Sequence, residues 1–200
     1  MCSSDLMVIM FTIFLTVSFF IDDLVRISYK EFYFIHPSYW AGLNIVPYIL
    51  LAYIFLGAYT NFVVGVYIRK KTQYLPYISG AGALVNVGLN FLLIPKYDIF
   101  GAALATLFAY AVMAVGMYIA SQRFHKLVFE WRKVAIIGLI AIALFYFFQL
   151  LPLAPHDLPS IFVKFGLVAF YLLLLFSFKV IERQELRFTK QMVMKALGKE

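Results

Sequence analysis

Six separate apolar runs, at 6–24, 41–68, 75–94, 99–121, 134–151 and 160–178, limit what this chain can become more than any other feature. A helix rises about 1.5 Å per residue, so about twenty such residues cross a hydrocarbon layer of about 30 Å. One water-soluble core cannot take up that much apolar surface, because 64% of the 200 residues are hydrophobic and only 14% are charged. The expected fold is an all-α membrane protein, a bundle of about six transmembrane helices.

The runs divide the chain into four helices within 1–122, a basic loop at 123–133, two further helices within 134–179 and a charged tail at 180–200. The first run has no basic leader and no small-residue cleavage site after it, so it is expected to stay as a span. Its abrupt start after Met-Cys-Ser-Ser-Asp fits a piece of a longer protein. Cys2 is the single cysteine, which excludes a disulfide framework and a cysteine-based metal cluster.

Polar and small residues recur at helical spacing in the middle of the chain. Ser79, Gly82, Asn86 and Asn90 stand at i, i+3, i+7 and i+11, one face of a helix. On the following run Gly101, Ala105 and Ala109 repeat every fourth residue. Small residues let helices approach closely in lipid, and an amide facing acyl chains is costly, so both stripes are expected to face protein. Tyr59 and Asn61 lie mid-span in the second run, and Asn61 too needs an internal partner. Two roles fit such amides, hydrogen bonding between helices or lining a substrate path. Pro47 is expected to kink the second helix.

Charge sets orientation. With six crossings, thirteen of the 17 lysines and arginines fall on one side and four on the other. The positive-inside rule then puts both termini in the cytoplasm, with Arg69, Lys70 and Lys71 at the cytoplasmic end of the second helix. Asp22, Asp23 and Arg26 read as an interfacial ion-pair group, and Lys164 as a cation that snorkels to the interface. The aromatic loop at 27–40 and the basic, aromatic loop at 122–133 read as segments on the membrane surface. The latter lacks the soluble domain that a nucleic-acid interface requires. His36 has no acid, cysteine or second histidine at ligand spacing, so no metal site is expected.

Motifs for nucleophilic, metal or phosphate chemistry (GxSxG, HExxH, a P-loop) do not occur in the sequence, and the expectation is a protein that is not an enzyme. Inward polar faces with basic loops suit a transporter lobe or a structural bundle.

Several segments together resemble a known family: Tyr39-Trp40-Ala41-Gly42-Leu43-Asn44-Ile45-Val46-Pro47, the run LGAYTNFVVGVYIRKKTQYLP, Asn86-Val87-Gly88-Leu89-Asn90, Ile94-Pro95-Lys96-Tyr97 and Gly101-Ala102-Ala103-Leu104-Ala105-Thr106. Over 38–133 they resemble the C-terminal region of polysaccharide biosynthesis proteins, the lipid-linked oligosaccharide flippases of the superfamily that also holds the MATE multidrug exporters. Asp98 stands where that family usually has glycine, and Asp also tolerates left-handed backbone. The resemblance implies the last six spans of a fourteen-span, two-lobe, MATE-like transporter, with the N-terminal lobe as a missing partner. It implies alternating access, membrane lipid as a neighbour, and an undecaprenyl-diphosphate-linked oligosaccharide as substrate. This would be an O-antigen or capsule repeat unit, flipped across a bacterial inner membrane. No cofactor is implied beyond a coupling ion. Tyr59, Asn61, Asn86 and Asn90 are then expected to face the substrate path. A MATE-like multidrug or ion antiporter and a membrane enzyme of glycan assembly are the alternative readings.

Overall fold

The computed structural model describes residues 3–26, 28–29, 32–33, 35–124, 129–151 and 158–178. The expected tail at 180–200 lies outside the described residues, as do Lys30, Lys126 and most of the loop between the last two helices.

Five α-helices account for nearly all of the described chain: α1 Ser3–Val25, α2 Val46–Ile68, α3 Tyr74–Phe124, α4 Trp131–Leu150 and α5 Leu158–Ser177. All five are long and apolar enough to cross a membrane, which marks the chain as a multi-pass membrane protein. Their outward faces carry large apolar side chains such as Leu84 and Phe91, 77% and 78% exposed, as a lipid solvent allows and water does not.

The count of five differs from the expected six, and the difference lies at one residue. The corner expected at Lys96 to Asp98 is there but is sharper than a loop: helical geometry continues through Pro95 and is broken at Asp98, with φ 48° and ψ −130°. There α3 folds back on itself. Gly82 of the first arm lies buried against Met113 and the Ala109 carbonyl of the second, and Asn86 reaches Thr106. The fold-back is tight: a Cβ on Gly101 would stand 2.5 Å from the Leu93 carbonyl oxygen and 2.9 Å from the Ile94 nitrogen. Ala105 and Ala109 are buried in the same seam.

Pro47 does not kink a helix. A 3-10 segment, Pro37–Ile45, precedes α2, and Pro47 occupies the first turn of α2, where no backbone N–H is needed. The aromatic loop before it is partly regular, with β1 Ser28–Tyr29 antiparallel to β2 Phe32–Tyr33 and Ser28 opposite Tyr33. Of the expected surface loop at 122–133, residues 125–128 lie outside the described residues, and two of its aromatic side chains pack on helices. Phe129 meets Phe62 edge-on at 4.8 Å, and Trp131 meets Tyr118 at 5.1 Å.

Packing divides the bundle into two groups joined by α1 against α2. In one, α2 lies along the α3 hairpin around Phe62, Val66, Ala114 and Met117. In the other, α1, α4 and α5 enclose Leu15, Phe19, Ile137, Ala141, Tyr171 and Leu175. At one end of the bundle Arg69, Lys70 and Lys71 are exposed, and Arg69 Nε donates to the Phe124 carbonyl at 3.1 Å, capping the end of α3. The opposite end gathers the close of α1, the start of α2, the Asp98 corner, the close of α4 and the start of α5.

Candidate functional site

That opposite end holds a cavity of about 570 Å³, the space of a small-molecule site. Every helix contributes. The last turns of α1 bring Ser18, Asp22 and Arg26, and the 3-10 segment brings Trp40 and Asn44. Tyr48 opens α2, Phe100 follows the α3 corner, α4 adds Tyr146 and Gln149, and α5 adds Ser160 and Lys164. Polar residues cluster here because each helix is ending, so its side chains stand at the edge of the apolar layer. The aromatic walls are built against each other: Tyr48 stands perpendicular to Phe100 at 4.8 Å, and Phe19 packs on Phe148 at 4.6 Å.

Four charges lie at or beside this cavity among the described residues, and they cancel. Arg26 Nε donates to Asp22 Oδ1 at 2.9 Å, and its guanidinium lies 5.0 Å above the Trp40 ring. Lys164 Nζ pairs with Asp23 Oδ2 across the α1–α5 contact. Lys164 is only 3% exposed, with the rings of Phe148 and Phe20 at 5.7 and 6.0 Å. This overturns the reading of Lys164 as a snorkelling residue. It also splits the expected acidic group, with Asp22 taking Arg26 and Asp23 taking Lys164. A buried ammonium without a carboxylate is several kcal/mol too costly to persist, roughly, so the partner is what allows the burial. Ser18 Oγ adds a buried hydroxyl with no partner among the described residues.

The lining is therefore neutral in sum, rich in amide and hydroxyl groups, and walled by aromatic rings. Such a surface matches a ligand that offers many hydroxyls and apolar C–H faces. Among the described lining residues no cation is left uncompensated to hold an isolated phosphate.

None of the residues expected along the substrate path lines this cavity. Tyr59 Oη and Ser79 Oγ are 3.1 Å apart and join α2 to α3. Asn90 Nδ2 donates to Asn86 Oδ1 at 3.0 Å, and Asn86 Nδ2 donates to Thr106 Oγ1 at 3.4 Å, which in turn donates to the Ala102 carbonyl at 3.0 Å. These form a polar ladder across the hairpin, the helix-joining role that the sequence left open. Asn61 Nδ2 and Asn90 Oδ1 are buried without a partner among the described residues. Asn90 also borders a shallower groove of about 370 Å³ with Val87, Phe91, Ile94 and Pro95. The basic triplet Arg69, Lys70 and Lys71 lies at the other end of the bundle. Among the described residues no group of three or more His, Cys, Asp or Glu is placed to hold a metal ion.

Sequence reasoning missed the cavity because its residues come from all five helices, at positions with no shared spacing. One signal was present: Asp22, Asp23 and Lys164 are the charges that fall inside the apolar runs, and mutual pairing was the cheapest solution for them. No family model, curated protein or solved structure matches the chain.

Proposed function

We propose that this chain forms part of a transporter for lipid-linked oligosaccharides, working by alternating access in a bacterial inner membrane. The observation that carries the reading is the charge-balanced, aromatic and amide-lined cavity at one end of a membrane helix bundle. A saccharide presents hydroxyls to Asn44 and Gln149 and apolar ring faces to Trp40 and Tyr146, and the cavity supplies both kinds of surface together. The segments over 38–133 that resemble the oligosaccharide flippases support the same reading. In the six-crossing reading of the sequence, thirteen of the 17 lysines and arginines share the side of Arg69, Lys70 and Lys71. By the positive-inside rule that side is cytoplasmic, and the cavity opens outward. In this reading the polar ladder of α3 stiffens the hairpin that moves against a second lobe.

The test is surface-glycan export in cells whose own copy of the gene is deleted and replaced. Losing a hydrogen-bonding partner inside a binding site costs about 1–3 kcal/mol. Asn44→Ala with Gln149→Ala is expected to lower export about tenfold or more at unchanged membrane abundance. Undiminished export with that double variant, or undiminished export in the deletion strain, contradicts the proposal.

A further inference from the structure

We infer that the contact between α1 and α5 is a lateral gate of the cavity, latched by the Asp23–Lys164 ion pair and opening toward lipid. The two halves of α5 are held in different ways. The far half is anchored in the core by Tyr171 and Leu175, both fully buried. The near half buries no apolar side chain to the same degree: its buried residues are Ser160 at 1% and Lys164 at 3%, while Phe162 and Phe165 point outward, 74% and 61% exposed. Between the halves, Gly166 has nothing within 4 Å of where a Cβ would stand, so that side of the helix faces open space and carries no side chain.

The near half is thus fixed to α1 mainly by the Lys164–Asp23 pair and by the Phe20–Phe165 ring contact at 4.8 Å. Both contacts sit on the wall that separates the cavity from the surrounding bilayer, since Ser160 and Lys164 line the cavity while Phe165 faces out. An ion pair suits a latch. It is strong while both charges are sequestered together, and it weakens steeply once water or a polar headgroup reaches it. Swinging α5 about Gly166 opens a slot through which a polar headgroup enters the cavity while its lipid tail stays in the bilayer. The inference rests on the proposed lipid-linked substrate for its purpose, but its test needs no substrate.

Ser160→Cys in the full chain in native membranes, with Cys2→Ser removing the single native thiol, reports access to the cavity wall. Labelling by a lipid-soluble maleimide is compared with labelling by a membrane-impermeant sulfonated maleimide. Asp23→Asn and Lys164→Met are each expected to raise labelling by the lipid-soluble reagent several-fold. Lys164→Arg, which keeps the charge, and the exchange Asp23→Lys with Lys164→Asp are expected to stay near the parent rate. A short bifunctional thiol reagent is expected to join Phe20→Cys to Phe165→Cys in the parent, with the yield falling several-fold in Asp23→Asn. Equal labelling of the parent and both single variants overturns the gate. So does a rise seen only with the impermeant reagent, which makes the opening one toward water. If these results hold while export is unaffected by cavity variants, the gate stands and the oligosaccharide reading falls.

Discussion

Asp98 carries the sharpest local constraint in the chain. Its φ of 48° with ψ of −130° lies in a region that suits glycine and strains a residue with a Cβ, at a cost of about 1–3 kcal/mol. Asp98→Gly removes that strain and gives back about 0.4–1 kcal/mol through a freer unfolded chain. The net expectation is a gain of about 1 kcal/mol, read as a higher melting temperature in detergent, whereas Asp98→Ala leaves it unchanged or lower. Three residues on, Gly101 meets backbone rather than a side chain, so Gly101→Ala must push the two arms of α3 apart. That is expected to destabilise by about 1–3 kcal/mol. Gly82→Ala is milder, since Met113 is flexible and can turn away. Equal losses for the two alanine variants contradict this account of the corner. Gly101 and the corner were legible in the sequence, because proline, aspartate and a small-residue stripe follow one another there. The Lys164–Asp23 pair was not: 141 residues separate its members, and only the packing of α5 on α1 brings them together.

Local helical periodicity carried much of the information about elements, and it failed where ends matter. The stripe of Ser79, Gly82, Asn86 and Asn90 announced a face turned to protein, and the structure gives each of the two asparagines a hydrogen-bonding partner in the hairpin. Spacing alone did not show that these amides bind each other and Thr106 instead of lining the cavity. Pro47 misled for a related reason. A proline inside an apolar run reads as a kink, but the 3-10 segment ahead of it makes it the opening turn of α2, where its missing N–H costs nothing. Pro47→Ala is therefore expected to change stability by no more than about 0.5 kcal/mol and to leave the helix direction unaltered. A large shift in melting temperature contradicts that placement. Exposed Leu84 and Phe91 on the first arm of α3 fit an element that meets lipid or a second lobe.

Across the whole molecule, the membrane class follows from hydrophobic content alone, because no aqueous fold hides so many long apolar runs. The cavity does not follow from it. It forms where five helices end together, and its neutral balance depends on two ion pairs, one within α1 and one between α1 and α5. The proposed function requires that this cavity, open on the side opposite the basic loops, hold the saccharide of a lipid-linked substrate during export. Asn44→Cys in the Cys2→Ser chain tests it most directly, since Asn44 is exposed and lines the cavity. The measurement is its labelling by a membrane-impermeant maleimide added outside intact cells, with and without lipid-linked oligosaccharide precursors accumulating in the membrane. The account predicts labelling from outside that slows markedly when the precursors accumulate; labelling only after the cells are opened, or at a rate indifferent to the precursors, contradicts it.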